Sequence, residues 1–199
     1  MNTFHAPPAV TCALSIIRDC TELAPASRAV AAGAFVVTDD EESTTFDVRT
    51  AVVLPALSRQ AAIEHIAKLL PLGARVIMRA PRLPRGLVRH LSRGRPMPVP
   101  TDAQILATIR PDAEVRPVMV PEEAMAAVAR QYGIRRAGRD DTTAEKARCC
   151  EAEAQALYLV HLFSSPNMHE RTRLAAAYQA WSALQRARPL GAFGPTEMF

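Results

Sequence analysis

The sequence predicts a single α/β domain in which a mixed sheet is flanked by helices and followed by a helical C-terminal end. Three apolar or alternating segments follow one another in the first part of the chain, as consecutive strands do. The hydrophobic period then changes from two residues to that of a helix, and another short apolar segment follows. The last third carries helix-capping patterns ahead of alanine-rich stretches. This order of elements is typical of an α/β domain.

Three strands are expected first. Residues 12–18 (CALSIIR) and 29–38 (AVAAGAFVVT) are apolar runs typical of buried strands. The following segment, TTFDVRTAVVLP, alternates and places Asp47 and Arg49 on its solvated side. Its other side carries Phe46, Val48, Thr50, Val52 and Leu54. Because short polar links join the three segments, we expect the first three strands to be antiparallel.

A helix and a fourth strand come next. Ser58 suits the N-cap of a helix over residues 59–70, which Pro71 and Gly73 end. The apolar run ARVIM at residues 74–78 is typical of a buried strand. The predicted order up to this point is β-β-β-α-β.

The middle of the chain is less regular. Residues 85–91 fit a short helix, and residues 93–100 fit a loop because of their Gly and Pro content. Thr101 and the Gln three residues later form a capping box for a helix that runs to about Ile109. Residues 115–120 fit a short strand.

Three helices are expected in the C-terminal part. Pro121 suits the first position of a helix that ends at Gly133. Thr142 opens a second capping box, which begins a helix that runs to about Phe163. A last helix is predicted over residues 168–187.

Composition sets the broad class of the protein. The chain has 199 residues, of which 49% are hydrophobic and 22% charged, as in one globular domain of ordinary size. We expect an N-terminal arm over residues 1–11, one domain over 12–165, and a C-terminal helix and tail over 166–199. The sequence has no run of about 18 apolar residues, so no membrane span is expected. Its start lacks the pattern of a signal peptide, so a cytoplasmic location is expected.

The stretch from Ala124 to Phe163 carries the most specific pattern in the chain. A helix ends in Tyr132-Gly133-Ile134, a short basic polar loop follows, and an alanine-rich helix comes next. This layout resembles the C-terminal part of the DEDD 3′–5′ exonucleases, the DnaQ-like proofreading family. The resemblance implies a ribonuclease H-like mixed sheet whose first three strands are antiparallel. It also implies a site where carboxylates hold two metal ions that cleave phosphodiester bonds.

The first motif of this family is an Asp-x-Glu at the end of strand one. The matching residues are Asp19 and Glu22, which are separated by two residues where the family has one. Residues i and i+3 of a strand point to opposite faces. Glu22 therefore joins Asp19 only if the chain bends after the strand.

The second motif departs further from the family. The family has an Asp at the start of the helix after the fourth strand, and Pro84 occupies the matching position here. No acidic residue lies between Arg75 and Pro100. The segment instead carries His90 together with Arg79, Arg82, Arg85, Arg89, Arg93 and Arg95. Arginine pairs with phosphate oxygens in a bidentate way, so this segment favours direct phosphate binding.

The third motif falls in the alanine-rich helix. Lys146 stands where the family has a His, and Glu151 stands where it has an Asp. Glu151 keeps a carboxylate for a metal ion, on a longer side chain. The Lys146 ammonium can contact phosphate or replace a cation electrostatically. With the second-motif Asp absent, we do not expect a normal two-metal site.

Two functions are compatible with these residues. In the first, the protein is a degenerate exonuclease that binds single-stranded DNA or RNA, or a nucleic-acid-processing protein, and needs no cofactor. Its phosphate contacts would be Arg79, Arg82, Arg85, Arg89 and Arg93, beside a remnant catalytic site of Asp19, Glu22, Lys146 and Glu151. In the second, the protein is an active 3′–5′ exonuclease that uses Asp19, Glu22 and Glu151. Its Mg²⁺ or Mn²⁺ ion would lie on Asp19 and Glu151.

Other interpretations are open at this point. The net charge of +4 permits an anionic partner without requiring one, and the arginines could form a solvated surface inflated by a GC-rich genome. The last helix and tail could make the chain a structural or regulatory module, or a homo-oligomer. The four cysteines lack C-x-x-C spacing and are expected to be small buried residues. In the family fold, however, Cys20 would meet Cys149 and Cys150 at one pocket.

Overall fold

Five strands form one mixed sheet at the centre of the structure. The computed structural model describes residues 9–19, 28–40, 42–54, 56–80, 100–134 and 142–187. The strands are β1 (Ala9–Asp19), β2 (Arg28–Asp39), β3 (Thr44–Val52), β4 (Arg75–Arg79) and β5 (Glu114–Val118). The described helices are α1 (Arg59–Ala67), α2 (Asp102–Ile109), α3 (Glu122–Tyr132), α4 (Thr143–Phe163) and α5 (Met168–Ala187).

The strand order in the sheet is β3-β2-β1-β4-β5. Strand β2 is antiparallel to both of its neighbours, whereas β4 is parallel to β1 and β5 is parallel to β4. The predicted fold class is confirmed: the chain is an α/β protein with a five-stranded mixed sheet, three antiparallel strands first, flanking helices and a helical C-terminal end.

Helices cover both faces of the sheet. On one face, Leu14 of β1 packs in a core with Ile63 of α1 and Leu106 of α2. On the other face, Phe35 of β2 packs in a second core with Leu157 of α4 and with residues of α3 and α5. Because successive strand residues point to opposite faces, the buried strands supply both cores at once.

Helix α4 lies unusually close to β2 at Gly33. A Cβ atom added to Gly33 would lie 2.5 Å from the carbonyl carbon of Cys150 and 2.5 Å from the amide nitrogen of Glu151. These are backbone atoms, which cannot move aside as the end of a side chain can. Gly33 therefore sets how closely α4 approaches the sheet.

Aromatic side chains dock α5 onto the same face. The rings of Phe35 and Tyr178 lie 5.9 Å apart between centroids, and those of Phe46 and Trp181 lie 5.6 Å apart. Arg173 adds a polar link, because its Nη1 lies 2.9 Å from the carboxylate of Asp39 at the end of β2. The last helix is thus part of the core that covers β2 and β3.

Helix ends follow the predicted caps, except at the end of α1. Both capping boxes, at Thr101 and Thr142, are formed, and Gly133 ends α3 with a φ of 65°. The helix predicted over 59–70 ends at Ala67, and the next residues form turns closed by i to i+3 hydrogen bonds. Leu70 precedes Pro71, and a residue before proline disfavours the helical region, so the helix cannot continue past these turns.

Strand β1 begins at Ala9, three residues before the predicted start, because its pairing with β2 continues to Asp39. The helix predicted over 85–91 lies outside the described residues, as does the loop predicted over 93–100 except for Pro100. None of the helices that the structure describes is both long enough and apolar enough to cross a membrane.

Candidate functional site

Four strands end at one edge of the sheet, which we call the C-terminal edge. Strands β1, β4 and β5 are parallel, and β3 runs in the same direction because two antiparallel pairings separate it from β1. The last residues of these strands are Asp19, Val52, Arg79 and Val118. Helices α1 and α3 begin shortly after β3 and β5, and Asp102 at the start of α2 contacts Arg18 near the end of β1, so the N-termini of all three helices lie at this edge as well. In open α/β sheets, ligands bind at such an edge.

Helix α4 also starts at the C-terminal edge. Ala147 and Cys150 in its first turns pack with Ile17, near the end of β1, and with Ala31 at the beginning of β2. At its other end, His161 lies close enough to Arg75 and Arg116 for them to lower its pKa, although burial is the larger cause. Four helix N-termini, each the positive end of a helix dipole, are therefore gathered at one edge.

Side chains occupy part of the hydrogen-bonding capacity of these N-termini. Ser58, Thr101 and Thr142 each accept a hydrogen bond from a backbone N–H in the first turn of their helix. Helix α3 starts after Pro121 without a side-chain cap. The helix dipoles can attract an anion to this edge, but the first-turn N–H groups that are capped are not free to bind it.

The predicted site residues that the structure describes differ in how close they lie to the C-terminal edge. Asp19 is the last residue of β1 and pairs with Arg28 of β2, and Lys146 lies in the first turns of α4, partly buried. Glu151 lies farther along α4. Outside the described residues are Glu22, Arg82, Arg85, Arg89, Arg93 and Cys20.

Glu151 faces the edge strand β3. The hydroxyl of Thr50 forms a hydrogen bond with its carboxyl group, and Thr50 pairs with Gly33. Burial raises the pKa of the Glu151 carboxyl, while Thr50 and the charge of Arg148 act in the opposite direction. This carboxyl is therefore directed away from β1, the strand that ends in Asp19.

A different carboxylate of α4, Glu153, reaches β1. The hydroxyl of Ser15 donates to Oε2 of Glu153 over 3.1 Å. Residues two apart on a helix are separated by about 200° around its axis, so Glu151 and Glu153 lie on opposite sides of the contact with Gly33. The third motif selected Glu151, and no pattern in the sequence singled out Glu153.

Arg79, the first residue of the arginine segment, is paired within the fold. Its Nη2 lies 2.6 Å from Oε2 of Glu122 in the first turn of α3, and about one third of each side chain is exposed. Arg79 therefore links the end of β4 to the start of α3. Its charge is at least partly compensated by Glu122.

A second charged cluster lies on the face of the sheet that α1 and α2 cover. Asp102 at the start of α2 accepts from Arg59 of α1, whose Nε and Nη2 lie 3.0 and 2.9 Å from Oδ1, and also from Arg18 of β1. Only 17% of the Asp102 side chain is exposed. The cluster joins α1, α2 and β1 close to Pro100. No spacing in the sequence predicted it.

Metal and thiol chemistry find little support in the described part of the chain. No group of three or more His, Cys, Asp or Glu side chains among these residues is arranged to hold a metal ion. Cys12, Cys149 and Cys150 are buried thiols, as predicted. Burial raises the pKa of the Cys12 and Cys150 thiols to about 12, so neither forms a nucleophilic thiolate near neutral pH.

No protein-family model matches the chain, and no curated protein matches it.

Proposed function

We propose that this protein is an exonuclease-like protein that binds single-stranded nucleic acid at the C-terminal edge without cleaving it. The observation that carries the proposal is the position of the two described residues that flank the arginine segment. Ala80 directly follows β4, and Pro100 directly precedes the capping residue of α2. Both described residues that flank the segment with Arg82, Arg85, Arg89 and Arg93 therefore lie at the edge where the helix N-termini lie.

The electrostatics of this edge support binding of a phosphate backbone. Arginine side chains pair with phosphate oxygens, and helix N-termini favour negative charge. Residues 80–99 contain no carboxylate that could neutralise the arginines from within the segment. Phosphate contacts of this kind bind nucleic acid without reading its sequence.

Two observations favour binding over cleavage. The second-motif position holds Pro84, so one expected carboxylate is absent from the sequence. The third-motif residue Glu151 faces Thr50 of β3, and burial raises its pKa. A two-metal mechanism requires several ionised carboxylates around the same ions.

The test is a titration of fluorescently labelled single-stranded DNA and RNA, followed by anisotropy at several salt concentrations in EDTA. We compare wild type with an Arg82→Gln and Arg85→Gln double variant. Each lost phosphate contact is expected to reduce the slope of log affinity against log salt by about 0.7.

The matched control is an Arg75→Gln and Arg116→Gln double variant. Both arginines are exposed, both contact Glu114 on β5, and Arg75 begins β4 at the opposite edge of the sheet. The control removes the same net charge, so it reports the effect of global charge alone. Equal losses in both double variants, or binding by wild type that does not respond to salt, would refute the proposed surface.

A metal-dependent 3′–5′ exonuclease is the second candidate function. The observation that favours it is the hydrogen bond of Glu153 to Ser15, which brings a carboxylate of α4 onto the strand that ends in Asp19. The test is nucleotide release from labelled DNA in Mn²⁺. An exonuclease of this kind loses activity in Asp19→Asn and Glu153→Gln but keeps it in Glu151→Gln. Release that persists in Asp19→Asn would exclude it.

A further inference from the structure

Strand β3 is an open edge of the sheet. Among the described residues it pairs only with β2, over the whole length from Thr44 to Val52 and without a bulge. The opposite edge strand, β5, has five residues and contains Pro117, which has no N–H to donate. Edge strands usually carry such protection against pairing with another chain, and β3 contains neither proline nor lysine.

The backbone groups of β3 that point outward can be assigned. Val53 donates its N–H to the carbonyl of Val30 over 3.0 Å, and the paired residues just before them are Val52 and Ala31. Hydrogen-bonded positions alternate along an antiparallel pair. The residues that turn their N–H and C=O groups away from β2 are therefore Thr44, Phe46, Val48, Thr50 and Val52.

We propose that a second copy of this chain pairs with β3 in an antiparallel manner, with a two-fold axis at Val48. In this register Val48 faces Val48 of the other copy, and the outward residues exchange hydrogen bonds with outward residues throughout. Thr44 then lies opposite Val52 of the other copy, so the strand pairs along its whole length. The proposal does not depend on nucleic-acid binding.

Charge selects this register over its neighbours. Asp47 and Arg49 flank Val48 on the same face of the sheet, where Arg49 Nε lies 2.7 Å from Asp47 Oδ2 of the same strand and the Asp47 and Arg49 side chains stay 56% and 40% exposed. With the axis at Val48, each Asp47 lies opposite an Arg49 of the other copy in a non-hydrogen-bonded pair, where side chains are closest. An axis at Asp47 or at Arg49 would place like charges opposite each other. A shift by one residue would bring outward groups against inward ones.

The two helical layers are compatible with this symmetry. A two-fold axis perpendicular to the sheet keeps α4 and α5 of both copies on the same face, so the two sheets would form one continuous sheet. Arg49 also donates to the carbonyl of Leu69 over 3.1 Å, which holds its side chain along the strand face beside Asp47.

The test is a charge exchange followed by sedimentation velocity on the full chain over a concentration series. Asp47→Arg and Arg49→Asp each create like-charge pairs across the axis, and each is expected to weaken dimerisation about tenfold or more. An equimolar mixture of the two single variants restores opposite charges, so it is expected to form heterodimers. The Asp47→Arg, Arg49→Asp double variant is expected to dimerise like wild type.

Circular dichroism establishes that each variant is folded. A wild-type chain that stays monomeric at the highest concentration overturns the proposal. Dimers that persist unchanged in both single variants also overturn it, because the interface would then lie elsewhere.

Discussion

The carboxyl group of Glu151 shows how a single residue can report on the packing of α4 against the sheet. Burial raises its pKa, although Thr50 supplies a hydrogen bond. A carboxyl whose pKa is higher in the folded than in the unfolded chain holds its proton more tightly when folded. Its contribution to stability is therefore present at acidic pH and is lost as the pH rises through the folded pKa.

Replacing Glu151 with Gln keeps the size of the side chain and removes this ionisation. We expect the variant to gain stability relative to wild type at about pH 8 and to lose that advantage near the ordinary glutamate pKa of about 4.3. Urea unfolding at both pH values measures the difference. The same experiment on Glu64→Gln, an exposed position of α1, controls for the loss of one negative charge. A stability difference that does not change with pH would refute this assignment.

Gly33 is a second residue at which we expect a substitution to change the free energy of unfolding. A Cβ at this position would lie 2.5 Å from backbone atoms of α4, so Gly33→Ala must push the helix off the sheet. We expect a loss of about 3 kcal/mol in the free energy of unfolding, at the upper end for overpacked cores.

Gly73→Ala is the control for Gly33→Ala. Gly73 has a positive φ but nothing within 4 Å of an added Cβ, so it should cost only the backbone strain of about 1–2 kcal/mol. Chemical denaturation of both variants gives the comparison. Equal costs at the two glycines would mean that α4 does not press on Gly33.

At the scale of elements, α5 is held by its aromatic face. Tyr178 is 1% exposed and touches the rings of Phe35, Phe46 and Trp181, whereas Leu184 on the same helix is 67% exposed. We expect Tyr178→Ala to cost about 3–5 kcal/mol, as large aromatic truncations in cores do. Leu184→Ala should change the unfolding midpoint very little. Similar small effects for both would show that α5 is not part of the cooperative core.

Sequence patterns predicted the elements well because caps and hydrophobic period are local. Thr142 and Gly133 mark helix ends through groups only a few residues away, and both ends were predicted. The rotation of α4 about its axis was not predictable in the same way. It depends on the contact with Gly33, more than a hundred residues away in the chain, and it decides which of Glu151 and Glu153 faces β1.

The charged clusters at the C-terminal edge were hidden from the sequence for the same reason. Arg18 meets Asp102 across 84 residues, and Arg79 meets Glu122 across 43. Such pairs arise only once the parallel strands bring their ends together. The arginine content of residues 79–95 could be read directly, whereas the pairing of Arg79 with Glu122 could not.

At the scale of the whole molecule, the fold gathers strand ends, helix N-termini and both flanks of the arginine segment at one edge. Among the strands that the structure describes, β3 has a neighbour on one side only, away from β4 and β5. Nucleic-acid binding and self-association would therefore use different parts of the molecule. We expect the charge exchange at Asp47 and Arg49 to leave nucleic-acid affinity per chain nearly unchanged, which anisotropy on the same variants measures.

The most direct test of nucleic-acid binding without cleavage is one titration of labelled single-stranded DNA at low salt, in EDTA and then in Mn²⁺. Binding and strand length are followed together. We expect binding in EDTA that weakens steeply with salt, and an intact oligonucleotide after Mn²⁺ is added. Shortening of the oligonucleotide that requires Mn²⁺ and is abolished in Asp19→Asn would contradict the proposal and establish an active nuclease.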